Sequence, residues 1–188
     1  MLNSKYMDIL EFVEEYGGIS IDIGKNLFYN TQYGYDSSKR ALRKLYKANY
    51  LKVDTDFLTD KKIYYKTKPL SSHKLMLLSL YSTFVKLGAK VIKFYREKPF
   101  DGVRSDGFIV YKINGIAKMM LLEIDINNRT KIDKFQKVYS DGLFQSKFRA
   151  FPKVLIVNRN GNPYKTKKKI SYQNIYVDYK FTDLEKII

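Results

Sequence analysis

Arg104-Ser105-Asp106-Gly107-Phe108, Asn114-Gly115 and Leu122-Glu123-Ile124-Asp125 are the segments on which the fold turns. Asn-Gly between two apolar runs is the signature of a two-residue type I′ hairpin turn. With Asn114 and Gly115 as that turn, Ile113 faces Ile116, and stepping outward brings Asp106 directly across from Glu123. Asp125 follows two residues on, which in a strand means the same face. Like charges directly opposite destabilise a sheet, because their Cβ atoms are only about 5 Å apart. Such a pair calls for something positive between its members, and a divalent cation is the usual candidate. The same register sets Arg104 opposite Asp125, so a cross-strand ion pair worth about 0 to 1 kcal/mol is the plainer alternative.

Outward from the hairpin, an apolar helix is expected over residues 73–87, ended by Gly88, with a strand at about 90–95. The hairpin supplies strands at 106–113 and 116–126. A helix follows over about 131–146, and Val154-Leu155-Ile156-Val157 reads as a fully buried strand. A last strand is expected over 175–181. Lys165 and Lys167-Lys168-Lys169 read as a solvated loop, with phosphate contact as the alternative. The order α-β-β-β-α-β predicts a mixed sheet flanked by helices, so the fold class is α/β, α+β overall.

The preceding residues have a different pattern. A helix over 3–16 places Tyr6, Ile9, Leu10, Val13 and Tyr16 at helical spacing before Gly17-Gly18. A short helix follows at about 22–29. A third is capped by Asp36 or Ser37 and runs to about Ala48, burying Ala41, Leu42, Leu45 and Tyr46. Lys39, Arg43 and Lys47 recur at i, i+4 and i+8 on another face, flanked by Arg40 and Lys44. Strands near 50–53 and 62–66 enclose a polar loop. Three helices and then a hairpin form a winged-helix pattern, with the third helix as DNA reader and the hairpin, carrying Lys61 and Lys62, as wing. A merely solvated basic face is the alternative. Pro69-Leu70-Ser71-Ser72 reads as the join between domains at 1–69 and 70–188.

Composition narrows the function. The 188 residues suffice for a real core, and their net charge of +16 suggests an anionic partner. Nucleic acid is favoured over a membrane, because no segment forms a basic amphipathic membrane helix or an apolar run long enough to span one. A lysine-rich solvated surface is the bland reading. With no cysteine, disulfides and thiolate sites are excluded, and a cytoplasmic location is expected. His73 stands alone, which argues against a histidine zinc site or a Ser-His-Asp triad.

The strand order, with Asp106 opening one strand and Glu123 closing the next, resembles the PD-(D/E)xK nuclease core. That resemblance implies Mg²⁺ or Mn²⁺ on Asp106 and Glu123, with the Ile124 carbonyl as a further oxygen. Asp125 stands where the nuclease pattern has its lysine. A substitute could come from Lys131, Lys134 or Lys137, and Lys134 is the candidate, so the catalytic set reads Asp106, Glu123, Asp125 and Lys134.

Taken whole, the chain resembles the replication-relaxation family of plasmid and phage proteins. Ser38-Lys39-Arg40-Ala41-Leu42-Arg43-Lys44-Leu45-Tyr46, with Tyr50-Leu51, is similar to the family's winged-helix reader. Ser72-His73-Lys74-Leu75 is similar to the opening of its central helix. Ser105-Asp106-Gly107 resembles its Pro-Asp, with Ser105 for the proline. Leu122-Glu123-Ile124-Asp125 resembles its Glu-x-Asp, whose Arg-Gly-Thr continuation is stretched here to Ile126-Asn127-Asn128-Arg129-Thr130. Lys134 and Tyr139 approximate a Lys and a Tyr of the next helix. The resemblance implies a double-stranded DNA-binding protein of a mobile element, acting in replication, copy control or DNA transfer. Its partners would be duplex DNA, a second copy of the chain, and replication or transfer proteins. It also implies that Asp125 in place of lysine is a family trait, which weakens the case for cleavage. A metal-dependent nickase or endonuclease is the alternative. A transcriptional regulator that dimerises through the second domain is the third reading.

Overall fold

A computed structural model describes residues 3–100, 102–131, 133–166 and 168–188; Lys167 of the lysine run lies outside the described residues. The chain is mixed α+β and divides into two compact units, Met1–Lys86 and Leu87–Ile188.

In the first unit, helix α1 (Ser4–Tyr16) starts where the Asn3 side chain accepts the Tyr6 N–H at 3.0 Å. It buries Ile9, Phe12 and Val13. The two-residue strand β1 (Ile19–Ser20) leads into α2 (Ile21–Phe28), capped by Ser20, whose Oγ accepts the Ile23 N–H at 3.3 Å. Helix α3 (Gly34–Lys47) begins earlier than expected, with no side-chain cap, and Asp36 falls inside its first turn. The cause is a close approach. A Cβ on Gly34 would stand 1.8 Å from the Tyr29 carbonyl oxygen, so only glycine lets α3 start against the end of α2. The crossing is tied by Ser38 Oγ, which donates to the Ile21 carbonyl at 2.8 Å, and a Cβ on Gly24 would stand 2.4 Å from the Ser38 Oγ itself. Ala41, Leu42 and Leu45 are buried, whereas Tyr46, expected with them, is 46% exposed.

Strands β2 (Lys52–Thr55) and β3 (Lys62–Tyr65) form a hairpin, and the antiparallel sheet has the order β1-β3-β2. Helix α4 (Ser72–Lys86) buries Leu75, Met76, Leu77, Leu78, Leu80 and Phe84, too many sides for one amphipathic stripe. It belongs to the first unit, so the division falls after Lys86 and not at Pro69-Ser72. Three contacts hold it there: Ser72 Oγ donates to Asp56, Asn26 Nδ2 donates to Ser82 Oγ at 3.1 Å, and Tyr16 stacks on Tyr81 with ring centroids 6.0 Å apart.

The second unit is built on a mixed sheet. Its strands are β4 (Lys90–Arg96), β7 (Gly107–Ile113), β8 (Ile116–Ile124), β9 (Lys153–Val157) and β10 (Asn174–Val177), in the order β10-β9-β8-β7-β4. The short strands β5 (Pro99–Phe100) and β6 (Val103–Arg104) pair only with each other. Asn114 (φ 49°) and Gly115 (φ 82°) are both left-handed, as a type I′ turn requires, and the β7–β8 register runs from Ile113↔Ile116 to Gly107↔Leu122. Strands β8, β9 and β10 are parallel. The helix expected over 131–146 is broken into α5 (Gln136–Ser140) and α6 (Leu143–Phe148), because Gly142 adopts φ 69° between them. Strand β10 stops short of 181 because the Asp178 carboxylate accepts the Lys180 and Thr182 N–H groups and bends the chain.

One sheet face carries Phe108, Leu121, Val154 and Ile156, packed with Phe135, Val138, Phe144 and Tyr172. On the other face Ile109, Tyr111, Met120, Leu122 and Leu155 are also buried. The Asp106–Glu123 position lies at the end of the first of these faces. Among the described residues no helix is long and apolar enough to cross a membrane.

Candidate functional site

Two groups of polar residues stand out, one in each unit. In the first, Lys39, Arg43 and Lys47 of α3 and Lys61 and Lys62 of the hairpin line one cleft of about 590 Å³, together with Tyr35, Tyr46 and Tyr64. The i, i+4, i+8 spacing puts the three helical cations on one face. Asp22 and Asp60 also line the cleft, and Asp22 Oδ2 pairs with Lys61 Nζ at 2.8 Å. Arg40 lines a neighbouring hollow with Tyr33, Asp36, Lys39 and Arg43. Lys44 is turned elsewhere: its Nζ lies 5.3 Å from the centroid of the Tyr6 ring on α1. Tyr35 and Tyr46 went unread as site residues, although they flank the basic stripe at i−4 from Lys39 and i+3 from Arg43. The Asp22–Lys61 contact is tertiary, and nothing in the local sequence announces it.

In the second unit the hairpin sets the carboxylates. Asp106 immediately precedes β7, one step beyond the Gly107↔Leu122 pair, and its Oδ2 accepts the Ile124 N–H at 2.8 Å. Glu123 is 2% exposed. Lys134 Nζ donates to both of its oxygens, at 2.8 and 3.0 Å, and Thr130 Oγ1 lies 3.1 Å from Oε2. Burial above all, joined by the Asp106 charge, pushes the Glu123 carboxyl up to about 7 against the opposing effects of Lys134 and Thr130. Lys134 thus supplies a positive partner within the carboxylate cluster. Lys131 instead lines an open hollow with Arg129, Tyr164, Lys165 and Lys168, and Lys137 is exposed on α5.

Asp125 lies just past the end of β8 and is anchored by its own network. Its carboxylate accepts the Thr130 N–H at 2.9 Å, the Thr130 hydroxyl at 2.6 Å and the Tyr164 hydroxyl at 2.6 Å. Its backbone carbonyl accepts the Tyr179 hydroxyl at 2.7 Å. Burial and the bond to Asp125 push the Tyr164 phenol up to about 12, and the Arg129 guanidinium sits 3.8 Å above that ring's centroid. The expected Arg104–Asp125 pair is not formed. Arg104 bonds Glu97 instead, because the strand breaks at Ser105, whose N–H donates to the Lys98 carbonyl at 3.0 Å. Thr130 and Tyr164 went unread, since both reach the cluster from loops.

As a donor set, Asp106 and Glu123 offer two carboxylates, which suits Mg²⁺ or Mn²⁺ sharing its shell with water and phosphate oxygens. Among the described residues no group of three or more acidic or histidine side chains gathers at one point. Comparison of the chain with family models, curated proteins and solved structures returns no match.

Proposed function

We propose that the chain is a double-stranded DNA-binding protein whose first unit acts as a winged helix, α3 reading the duplex and the β2–β3 hairpin serving as wing. The observation that carries this reading is the convergence of five cations from two elements, Lys39, Arg43, Lys47, Lys61 and Lys62, on one cleft. Cations set along one helix face neutralise successive phosphates and release counterions, the main source of affinity for a duplex. The resemblance of its motif order to that of the replication-relaxation family supports a proposed role on a mobile element, in replication, copy control or DNA transfer, within the cytoplasm. A second copy of the chain and replication or transfer proteins are the further partners of that proposal. Changing Lys39, Arg43 and Lys47 together to Ala sharply weakens binding to a labelled duplex at low salt while leaving the thermal unfolding of the chain unchanged. Full-strength binding by that folded variant would overturn the proposal.

A second reading, a metal-dependent nickase or endonuclease with a PD-(D/E)xK-like second unit, is favoured by one observation. Lys134 reaches Glu123 from outside the strand, supplying the ammonium that Asp125 displaces from the usual position. In this reading Asp106 and Glu123 hold Mg²⁺ or Mn²⁺, which when bound lowers the pKa of water and offsets charge on the scissile phosphate. Asp125 holds Thr130 and Tyr164 in place, and Lys134, paired with Glu123, would supply the positive charge beside the phosphate. Supercoiled plasmid incubated with Mn²⁺ is then nicked by the wild type and left intact by Glu123→Ala. Equal nicking by both, or none by either, would eliminate cleavage at the Asp106–Glu123 site and leave a binding role for the second unit.

A further inference from the structure

We infer that Phe57, at the tip of the β2–β3 hairpin, is an apolar wedge that enters the minor groove of a bound duplex and kinks it. The inference rests on the DNA-binding reading and adds to it a residue outside the basic set. Phe57 is 80% exposed and Leu58 beside it is 37% exposed. A single exposed apolar residue is ordinary. What distinguishes this one is the rigidity of the loop that presents it.

Asp56, only 3% exposed, organises the tip. Its Oδ2 accepts the Thr59 N–H at 2.8 Å and the Thr59 hydroxyl at 2.6 Å, and its Oδ1 accepts the Ser72 hydroxyl. Its N–H donates to the Lys61 carbonyl, and its carbonyl accepts the Asp60 N–H, both at 2.9 Å. Burying a carboxylate is costly unless hydrogen bonds compensate, and here they close the loop and tie it to the start of α4. None of these bonds uses the side chain at position 57. The fold therefore holds a phenylalanine in water on a preorganised turn, where a serine or asparagine would satisfy the same geometry.

The neighbours point to the ligand. The same loop ends in Lys61 and Lys62, which line the cleft with Lys39, Arg43 and Lys47. Phe57 is not among the residues that line the cleft, and the proposal places it beyond the cleft's edge, against the groove beside the phosphates that Lys61 and Lys62 would meet. An apolar side chain carried there can slip between base steps, its burial offsetting an unstacking cost of a few kcal/mol, and bend the DNA by roughly 20° to 90°. Pyrimidine–purine steps such as TA open most readily.

The test uses the full chain and a short duplex carrying TA steps, labelled at its ends for energy transfer. The wild type and Phe57→Leu draw the ends together; Phe57→Ser binds with an unchanged salt dependence but leaves the duplex straight, with about tenfold weaker affinity. Bending by Phe57→Ser equal to the wild type, or a straight duplex under bound wild type, would overturn the wedge alone. Failure of the wild type to bind any duplex would overturn the DNA-binding reading and the wedge with it.

Discussion

Glu123 is the residue on which opposing demands are most concentrated. It is almost fully buried, faces the Asp106 carboxylate, and is held by Lys134 and Thr130. Burial dominates, so its pKa rises from an ordinary 4.5 to about 7. Between those values the folded protein keeps a proton that the unfolded chain has released. The stability this provides is full below about pH 4.5 and is lost as the pH climbs through about 7. At about 1.4 kcal/mol per unit, the loss is on the order of 3 kcal/mol. In metal-free buffer Glu123→Gln should therefore gain on the wild type as the pH moves from about 5 to 8, as read from urea unfolding of both. Stability curves that stay parallel across that range would show that the proton at Glu123 is not linked to folding. The nearness of Asp106 to Glu123 was readable because an Asn-Gly turn fixes register, and every pair outward follows from it. Arg104 was not, because the break at Ser105 depends on β5–β6 pairing that no short-range signal encodes. Lys134 was the candidate chosen from Lys131, Lys134 and Lys137, and it is the one of the three that bonds Glu123.

The elements themselves were read more easily than their ends and alliances. Helical spacing and the Asn-Gly turn mark the helices and the long hairpin. They do not reveal that α3 begins at Gly34, since that depends on a carbonyl of the preceding loop. A methyl group at Gly34 would collide with the Tyr29 carbonyl, and backbone cannot move aside as a side chain can. Gly34→Ala should cost about 2 to 3 kcal/mol of stability, the upper range for overpacking, and weaken the proposed DNA binding by shifting α3 against α2. Chemical unfolding measures the first effect, and a loss below about 0.5 kcal/mol would mean that the α2–α3 crossing is not set by this contact. Helix α4 was legible as a helix, and its allegiance was not. Its partners Asn26, Asp56 and Tyr16 are distant in sequence, so the join at Pro69-Ser72 described a change in composition and not the edge of a packed unit. Likewise the apolar spacing over 131–146 runs through Gly142, which the backbone uses to break the helix.

At the scale of the molecule, the proposal of a nucleic-acid partner rests on the net charge of +16 and on how that charge is arranged locally. A uniformly solvated lysine surface would spread its cations. Here three residues at helical spacing and two from a hairpin share one cleft, while Lys44 is turned onto Tyr6 and Lys61 is partly answered by Asp22. The measurement that tests the central claim most directly is the salt dependence of duplex binding by the full chain, compared with the variant carrying Ala at 39, 43 and 47. Each phosphate contact contributes a slope of about 0.9 in log K against log salt, so the variant's slope should be shallower by up to about 3, with much weaker binding at low salt. Equal slopes and equal affinities for the two proteins would contradict the account, because the cleft would then carry none of the contact with DNA.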